Sequence, residues 1–351
     1  METEVLQLKS PTDPEVIEKG AMIIKNGGLV AFPTETVYGL GANGLDPKAV
    51  AKIYEAKGRP SDNPMILHIS NQKMLEDLVR EIPKEAKDCM DMFWPGPLTM
   101  IFYKKDLIPD KVCAGLDTVA IRMPSDPFAR ALIEASGVPI AAPSANTSGR
   151  PSPTKAAHVL EDMAGKIELI VDGGSTQVGI ESTVLDMTVD PPMLLRPGGV
   201  TLEDLKELLG DVDVDPALLG GKPKEVLHPK SPGQKYKHYA PKADCLLFAG
   251  NLTNVAKEVN KRIKENPNKK IAVLATEETM DLYTEKPYLL INMGSREHME
   301  EIAHNIFNSL RECDEEDVDL IFVEGFSFQG MGQGIMNRLL KACGGKVVLG
   351  L

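Results

Sequence analysis

A break in the secondary-structure pattern between Gly210 and Lys242 indicates how this chain divides. The stretch includes GGKPK and HPKSPGQKYKHYAPK, is rich in Gly, Pro and Lys, and has neither helical nor strand periodicity. Helix and strand patterns alternate on both sides of it. At 351 residues, the chain also exceeds the length at which one hydrophobic core usually stops growing. We therefore expect two α/β domains, 1–209 and 243–351, joined by a linker at 210–242.

The first predicted domain combines helices with many short strands. Asp13 and Asp46, each followed by proline, are typical helix starts, and apolar runs such as 118–123 are typical of buried strands. Several predicted strands follow one another without an intervening helix, most clearly 182–187 and 193–196. This order predicts a mixed, twisted sheet with helices packed on it, rather than a purely parallel sheet.

The second predicted domain has a simpler pattern. Apolar strands at 245–248, 270–275, 288–291 and 320–323 are separated mainly by helical patterns. Regular alternation of this kind is typical of a parallel sheet with helical crossovers. We expect a smaller, Rossmann-like α/β domain.

The composition is that of an ordinary globular protein, with 42% hydrophobic and 26% charged residues and a formal net charge of −12. Binding to nucleic-acid phosphates needs a clustered basic surface, so this net charge argues against a protein whose main role is to bind nucleic acid. The amino terminus, METEVLQLKS, has no basic start followed by an apolar stretch, and the chain contains no run of 18 apolar residues. We therefore expect a cytoplasmic protein that does not enter a membrane.

The five cysteines and six histidines are scattered along the chain. The cysteines are odd in number and form no C-x-x-C pair, which favours reduced thiols over disulfides. The histidines have no zinc-ligand spacing to one another or to cysteine. We expect no protein-bound zinc.

The segment FPTETVYGLGANG, residues 32–44, is the richest in candidate site residues. A predicted strand leads into a loop that carries Thr34, Glu35, Thr36 and Tyr38, and loops at strand ends often bind ligands. The segment also spells G-x-G-x-x-G. Its first glycine comes too late after the strand for a dinucleotide fingerprint, so turn geometry is the favoured explanation of the glycines.

Two cations flank a glycine in KGRPSDNP, where Lys57 and Arg59 stand at a predicted helix end. They can complement the negative end of that helix, or they can clamp a phosphate between an ammonium and a guanidinium. The sequence has no G-x-x-x-x-G-K-[ST] motif, so a nucleotide site here is not a P-loop. Both readings of the two cations remain open.

Hydroxyl and amide side chains follow an apolar strand in APSANTSGRPSPT, residues 142–154. Such a run suits a ligand with many oxygen atoms, but it also fits a surface loop of turn-forming residues. Arg122 and Arg196 stand at the carboxyl ends of two predicted strands. Together with Lys57 and Arg59 they can form a cationic pocket for an anionic substrate, although each can instead belong to an ordinary salt bridge.

Taken together, these segments resemble the YrdC-like family of threonylcarbamoyl-AMP synthases. FPTETVYGLG, KGRPSDNP, TVAIRMP, APSANTSG, GIESTVLD and LLRPGG occur in the order of that family. SPGQKYKHYAP resembles the linker of the family's long, two-domain form, and GIMNRLLKA resembles its closing helix. The chain departs from the family at Lys235 and Lys237, where arginine is usual.

The resemblance implies a nucleotidyltransferase. L-threonine, bicarbonate and ATP become L-threonylcarbamoyl-AMP and pyrophosphate, with Mg²⁺ carried by ATP and no organic cofactor. The implied destination of the product is the tRNA threonylcarbamoyl transferase machinery, which makes N6-threonylcarbamoyladenosine at position 37 of ANN-decoding tRNAs. Direct tRNA binding by this chain is expected to be weak or absent.

The resemblance also implies roles for individual residues. The catalytic pair is Lys57 and Arg59. The implied L-threonine pocket consists of Thr36, His68, Arg122, Ala142 and Ser182, with Arg122 facing the carboxylate and His68 near the hydroxyl. The implied ATP side consists of Lys57, Arg59, Asn63, Thr118, Ser144, Asn146, Ser152, Arg196 and Tyr236. Tyr236 belongs to the linker, which is expected to fold over the nucleotide as a lid.

Two alternatives from other classes remain at this point. One is an RNA-binding module, which the low isoelectric point disfavours. The other is a carbamoyl-adenylating domain like that of hydrogenase-maturation proteins. Those proteins carry additional acylphosphatase-like and zinc-finger segments, and neither is visible in this sequence.

Overall fold

A computed structural model describes residues 1–219, 228–234 and 237–351. The chain forms two compact units, one of Met1–Ser148 with Ser152–Tyr236 and one of Gly149–Pro151 with Lys237–Leu351. Lys235 and Tyr236, which were singled out from the sequence, lie outside the described residues. Within the described ranges, no helix is long and apolar enough to cross a membrane.

The first unit is built on one large β-sheet with helices. Its strands are β1 (Glu4–Gln7), β2 (Val30–Pro33), β3 (Tyr38–Asn43), β4 (Ile66–His68), β5 (Leu98–Tyr103), β6 (Thr118–Arg122), β7 (Ile140–Ala141), β8 (Leu169–Asp172), β9 (Thr183–Asp186), β10 (Met193–Arg196) and β11 (Asp213–Val214). Its helices are α1 (Pro14–Lys25), α2 (Pro47–Lys57), α3 (Gln72–Leu78), α4 (Lys84–Phe93), α5 (Asp110–Cys113), α6 (Pro127–Ser136), α7 (Ala156–Met163) and α8 (Leu202–Leu209).

The strand order of this sheet is β1-β8-β2-β3-β7-β4-β6-β5-β9-β10-β11. Parallel pairs such as β4 with β6 alternate with antiparallel pairs such as β5 with β6 and β9 with β10. The prediction of a mixed sheet is therefore confirmed. The adjacent runs that suggested it, β9 and β10, are antiparallel neighbours.

Strand β3 corrects one sequence interpretation. Residues 38–43 form a strand between β2 and β7, and not a glycine-rich turn. A Cβ atom at Gly41 would lie 2.6 Å from Cε1 of Phe32 and 2.8 Å from Cγ2 of Ile140. A Cβ atom at Gly44, just after the strand, would lie 2.8 Å from the Pro139 carbonyl oxygen. At Gly41 and Gly44, neighbouring side chains and the backbone just before β7 approach too closely for a Cβ atom.

The second unit contains a smaller, parallel sheet. Its strands are β12 (Asp244–Phe248), β13 (Ile271–Ala275), β14 (Leu289–Asn292), β15 (Leu320–Glu324) and β16 (Val347–Val348), and its α-helices are α9 (Leu252–Glu265), α10 (Met299–Glu315) and α11 (Met331–Ala342). The strand order is β14-β13-β15-β12-β16, and every pair in it is parallel. This is the Rossmann-like arrangement that the sequence predicted.

Candidate active site

Strand register brings two candidate side chains and a third polar side chain into one row across the sheet of the first unit. His68 at the end of β4 pairs with Arg122 at the end of β6, and Arg122 pairs with Thr99 on β5. Side chains that pair directly across neighbouring strands lie on the same face of a sheet. The imidazole, the guanidinium and the Thr99 hydroxyl are therefore neighbours, although they are far apart in the sequence.

The same face continues from this row into a small apolar floor. Alternation along β4 and β6 puts Ile66 and Ala120 on the face of His68 and Arg122. The floor is a cluster of buried side chains formed by Ile66, Ile101, Ala120, Val184 and Leu195. A polar row beside a dry apolar surface is a common arrangement in ligand sites.

Arg122 is held from one side by a carboxylate and a hydroxyl. Its Nη1 donates to Oε1 of Glu35 at 2.7 Å, and its Nη2 donates to Oγ1 of Thr36 at 3.2 Å. Burial opposes ionisation of Glu35, but the Arg122 charge and the hydrogen bonds from Ser125 outweigh it and hold the pKa of that carboxyl below its ordinary value. The other N–H groups of Arg122 have no hydrogen-bond partner among the described residues.

His68 is neutral at physiological pH. Burial, followed by the nearby Arg122 charge, lowers the pKa of the imidazole to about 3. Its Nδ1 is buried and has no hydrogen-bond partner within the described part of the chain. A buried polar atom without a partner is rare in proteins, and a ligand is one of the things that can supply the partner.

Ser182 connects the row to the second strand-end arginine. Its Oγ lies 2.7 Å from Oγ1 of Thr99 and accepts from Nη2 of Arg196 at 3.1 Å. Nε of Arg196 donates to the Ser182 carbonyl oxygen at 2.9 Å. β10 ends at Arg196 and β6 ends at Arg122, as the sequence predicted.

Ala142 comes directly after β7, and its backbone N–H donates to the Ile66 carbonyl oxygen at 3.1 Å.

Lys57 joins helix α2 to the polar loop after β7. It is the last residue of that helix, and Gly58 ends the helix in the left-handed conformation with φ of 63°. The ammonium donates to the Ser144 carbonyl oxygen, and the Lys57 carbonyl oxygen accepts from the Ser148 N–H at 2.9 Å. The side chain is only 2% exposed. Lys57 is therefore a buried charge directed at the loop, and it is not a solvated helix-end lysine.

Arg59, Asn63 and Thr118 mark the other end of the site. Nε and Nη2 of Arg59 donate to the carbonyl oxygens of Asn63 at 3.2 Å and Pro64 at 2.6 Å. Thr118 begins the strand that Arg122 ends, a separation of about 13 Å at the usual rise per residue. The parallel pairing of β4 with β6 brings Thr118 close to the segment that precedes β4. Arg59, Asn63 and Thr118 therefore lie at the end of β6 opposite to Arg122.

Asn146 and Ser152 lie on the polar loop itself, and both are buried. Nδ2 of Asn146 donates to the Thr147 carbonyl oxygen at 2.9 Å, and Oγ of Ser152 donates to Oε1 of Glu181. Residues 142–154 are all buried or half-buried, so this run is not an exposed surface loop of turn formers. The remaining nucleotide-side candidate, Tyr236, is outside the described residues.

Sequence reasoning did not assign four residues that the structure places in this network. They are Glu35, Thr99, Ser125 and Glu181. Glu35 had a visible signal, since it stands between two threonines just after a buried strand. Thr99 had none, because a threonine inside an apolar strand is ordinary. Over the described ranges, no group of three or more His, Cys, Asp or Glu residues is placed to hold a metal ion.

Gly198 provides a test of how tightly this network is packed. A Cβ atom there would lie 2.5 Å from the Thr183 nitrogen and 2.6 Å from the Glu181 carbonyl oxygen. Both are backbone atoms that cannot rotate away, so we expect Gly198→Ala to lower the free energy of unfolding by about 1–3 kcal/mol in urea denaturation. Gly199→Ala is the matched control, because its closest contact is the Pro97 side chain at 3.1 Å. Equal losses in the two variants would contradict the packing described here.

Comparison with known proteins decides the family. Residues 22–198 match the Sua5/YciO/YrdC family, described as telomere recombination, and residues 200–344 match the C-terminal domain of threonylcarbamoyl-AMP synthase. The chain belongs to this family of threonylcarbamoyl-AMP synthases. The expectation drawn from the ordered motifs is therefore confirmed.

Full-length members of the family are close relatives. The threonylcarbamoyl-AMP synthase of Bacillus subtilis is 48% identical over 340 residues, which is 97% of this chain and 96% of that protein. The Pyrococcus abyssi synthase is 46% identical over 99% of both chains. The crystal structure of P. abyssi Sua5 complexed with L-threonine is 45% identical, superposes with a TM-score of 0.91 and covers 99% of both chains. Family membership makes the chain an enzyme of the nucleotidyltransferase class.

Proposed function

We propose that this enzyme makes L-threonylcarbamoyl-AMP from L-threonine, bicarbonate and ATP and releases pyrophosphate. The observation that carries the proposal is the row of His68, Arg122 and Thr99, in which the guanidinium keeps N–H groups without a partner among the described residues. A carboxylate can accept two parallel hydrogen bonds from such a guanidinium. The L-threonine complex of P. abyssi Sua5 supports an amino acid as the ligand.

In this proposal the candidate residues form two parts of one substrate site, and Arg196, which contacts Ser182, lies where the two parts meet. The L-threonine half consists of Thr36, His68, Arg122, Ala142 and Ser182. The ATP half consists of Lys57, Arg59, Asn63, Thr118, Ser144, Asn146, Ser152, Arg196 and Tyr236, with Mg²⁺ bound to the nucleotide phosphates. Thr118 and Arg122 are separated by about 13 Å along β6, which leaves room for a nucleotide next to the amino acid.

The reaction requires that the substrates are aligned and that developing charge is stabilised, and it requires no nucleophile from the protein. The threonine amine and bicarbonate form a carbamate with loss of water. A carbamate oxygen then attacks the α-phosphorus of ATP, and pyrophosphate leaves. Lys57 and Arg59 stabilise the negative charge that develops on the phosphate oxygens, and Arg122 holds the amino acid. A neutral His68 can hydrogen-bond the threonine hydroxyl without repelling Arg122.

The linker at 210–242 completes the site as a lid in this proposal. Nζ of Lys230 lies 3.0 Å from Oδ2 of Asp186, and Asp186 pairs with Ile101 on the face that carries the apolar floor. This contact supports a linker that runs over the substrates and protects the labile product from water. We expect removal of residues 228–241 to lower product yield, and unchanged activity would contradict the lid.

The wider role follows from the same assignment. We propose that residues 1–209 carry the catalysis, that 243–351 form the C-terminal domain of the long form, and that the product passes to the tRNA threonylcarbamoyl transferase machinery. That hand-off leads to N6-threonylcarbamoyladenosine at position 37 of ANN-decoding tRNAs. A net charge of −12 favours delivery of a small molecule over tight tRNA binding by this chain.

Pyrophosphate release tests the proposal. Purified protein with ATP, Mg²⁺ and bicarbonate is expected to release pyrophosphate when L-threonine is present, and far more slowly with L-serine or with no amino acid. L-serine is a matched control because it keeps the hydroxyl and lacks only the methyl group. Release that is indifferent to threonine would overturn the proposed substrate.

A further inference from the structure

We propose that Glu35 is a positioning residue that fixes the Arg122 guanidinium for the carboxylate of L-threonine. The inference rests on the proposed function and extends it to a residue outside the substrate-binding set. Glu35 lies in the connection between β2 and β3, and its side chain is 6% exposed.

The two carboxylate oxygens of Glu35 accept hydrogen bonds from two different segments of the chain. Oε1 accepts from Nη1 of Arg122 at 2.7 Å, while Oε2 accepts from the backbone N–H of Ser125 at 2.5 Å and from its Oγ at 2.6 Å. Glu35 therefore ties the β2–β3 connection both to the last residue of β6 and to the segment that follows it. Both oxygens are engaged, so the carboxylate has one orientation.

The backbone around Glu35 is also fixed. The Glu35 carbonyl oxygen accepts from the Val178 N–H at 2.8 Å, and the Thr36 carbonyl oxygen accepts from the Gly179 N–H at 3.0 Å. The backbone that carries the anchor for Arg122 is therefore tied by two hydrogen bonds to residues 178–179. A guanidinium bound along one edge by a fixed carboxylate presents its remaining N–H groups in a single direction, which is what bidentate recognition of a second carboxylate requires.

The charge of Glu35 matters as well as its shape. A buried guanidinium without a counter-charge is costly, so a site that is empty between turnovers needs an internal partner for Arg122. Glu35 supplies that partner and leaves the other N–H groups of the Arg122 guanidinium for the substrate. An uncharged amide in its place cannot supply the charge. In glutamine, an NH2 group replaces one of the two carboxylate oxygens. This donor would face either the Arg122 guanidinium or the N–H and O–H donors of Ser125.

The test is threonine binding by calorimetry together with steady-state kinetics of pyrophosphate release. We expect Glu35→Gln to weaken L-threonine binding and raise its KM by about 10- to 100-fold, while the KM for ATP stays within about twofold. Glu134→Gln is the matched control, because Glu134 on α6 also accepts a serine hydroxyl, from Ser70 at 2.6 Å, but makes no hydrogen bond to Arg122 among the described residues. Glu35→Asp is expected to recover part of the loss.

A double-mutant cycle separates positioning from a purely structural role. If Glu35 acts through Arg122, Glu35→Gln changes threonine affinity little in an Arg122→Ala background. Full additivity of the two changes, or wild-type affinity in Glu35→Gln, would overturn the inference. Failure of the wild-type protein itself to bind L-threonine would instead overturn the proposed function.

Discussion

Lys57→Ala is expected to lower threonine-dependent pyrophosphate release by about 100-fold or more, because in the proposed reaction the Lys57 ammonium stabilises charge on the phosphate, and a preorganised buried donor contributes on that scale. The Lys57 ammonium is buried and donates to the Ser144 carbonyl oxygen. The measurement is the initial rate of pyrophosphate release at saturating ATP and L-threonine.

The control for this variant is Lys48→Ala, which removes an exposed lysine from the same helix. We expect its activity to equal that of the wild type. Urea denaturation of both variants checks the fold, since Lys57→Ala also leaves the Ser144 carbonyl oxygen without its donor, at a cost of about 1–3 kcal/mol. A folded Lys57→Ala enzyme with more than about half the wild-type rate would contradict the role given to Lys57.

Arg296→Ala is expected to lower the free energy of unfolding of the second unit by about 3–5 kcal/mol, because it leaves a buried carboxylate without its counter-charge. Nη2 of Arg296 lies 2.8 Å from Oε2 of Glu324, whose side chain is 2% exposed. The same guanidinium donates to Thr276 Oγ1 and to the Gly325 carbonyl oxygen, each at 3.1 Å. It also stacks on Phe326, 4.4 Å from the ring centre. Urea denaturation followed by circular dichroism measures the loss.

Two further variants show whether the charge is responsible. Adding Glu324→Gln to Arg296→Ala removes the uncompensated charge, and we expect it to recover part of the lost stability. Lys346→Ala breaks an exposed pair with Asp244 at 3.1 Å and is expected to change stability by less than about 0.5 kcal/mol. An Arg296→Ala protein that loses less than about 1 kcal/mol would show that the pair is not a significant support of the unit.

The sequence predicted those parts of the fold that local pattern determines. Apolar runs end where β6 and β10 end, so Arg122 and Arg196 were correctly placed at strand ends. β1 was missed because Glu4–Gln7 is mostly exposed and shows no apolar alternation. β3 was missed because its glycines, which allow close packing on Phe32 and Ile140, are the residues that usually mark a turn.

The candidate site depends on information that no local pattern holds. His68, Arg122 and Thr99 become neighbours only through the register of three strands, and register is a long-range property. Motif order pointed to the family and, through it, to most of the candidate residues. Thr99 contacts Ser182 and has no signal in the sequence, so only the folded structure connects it to the site.

The most direct test of the proposed reaction is the product itself. The purified enzyme would be incubated with L-threonine, ATP, Mg²⁺ and bicarbonate labelled with carbon-13, and the adenylates would be identified by mass spectrometry. We expect threonylcarbamoyl-AMP that carries the label, formed only when all three substrates are present. An adenylate without the bicarbonate carbon, or no threonine-containing adenylate at all, would contradict the proposed reaction.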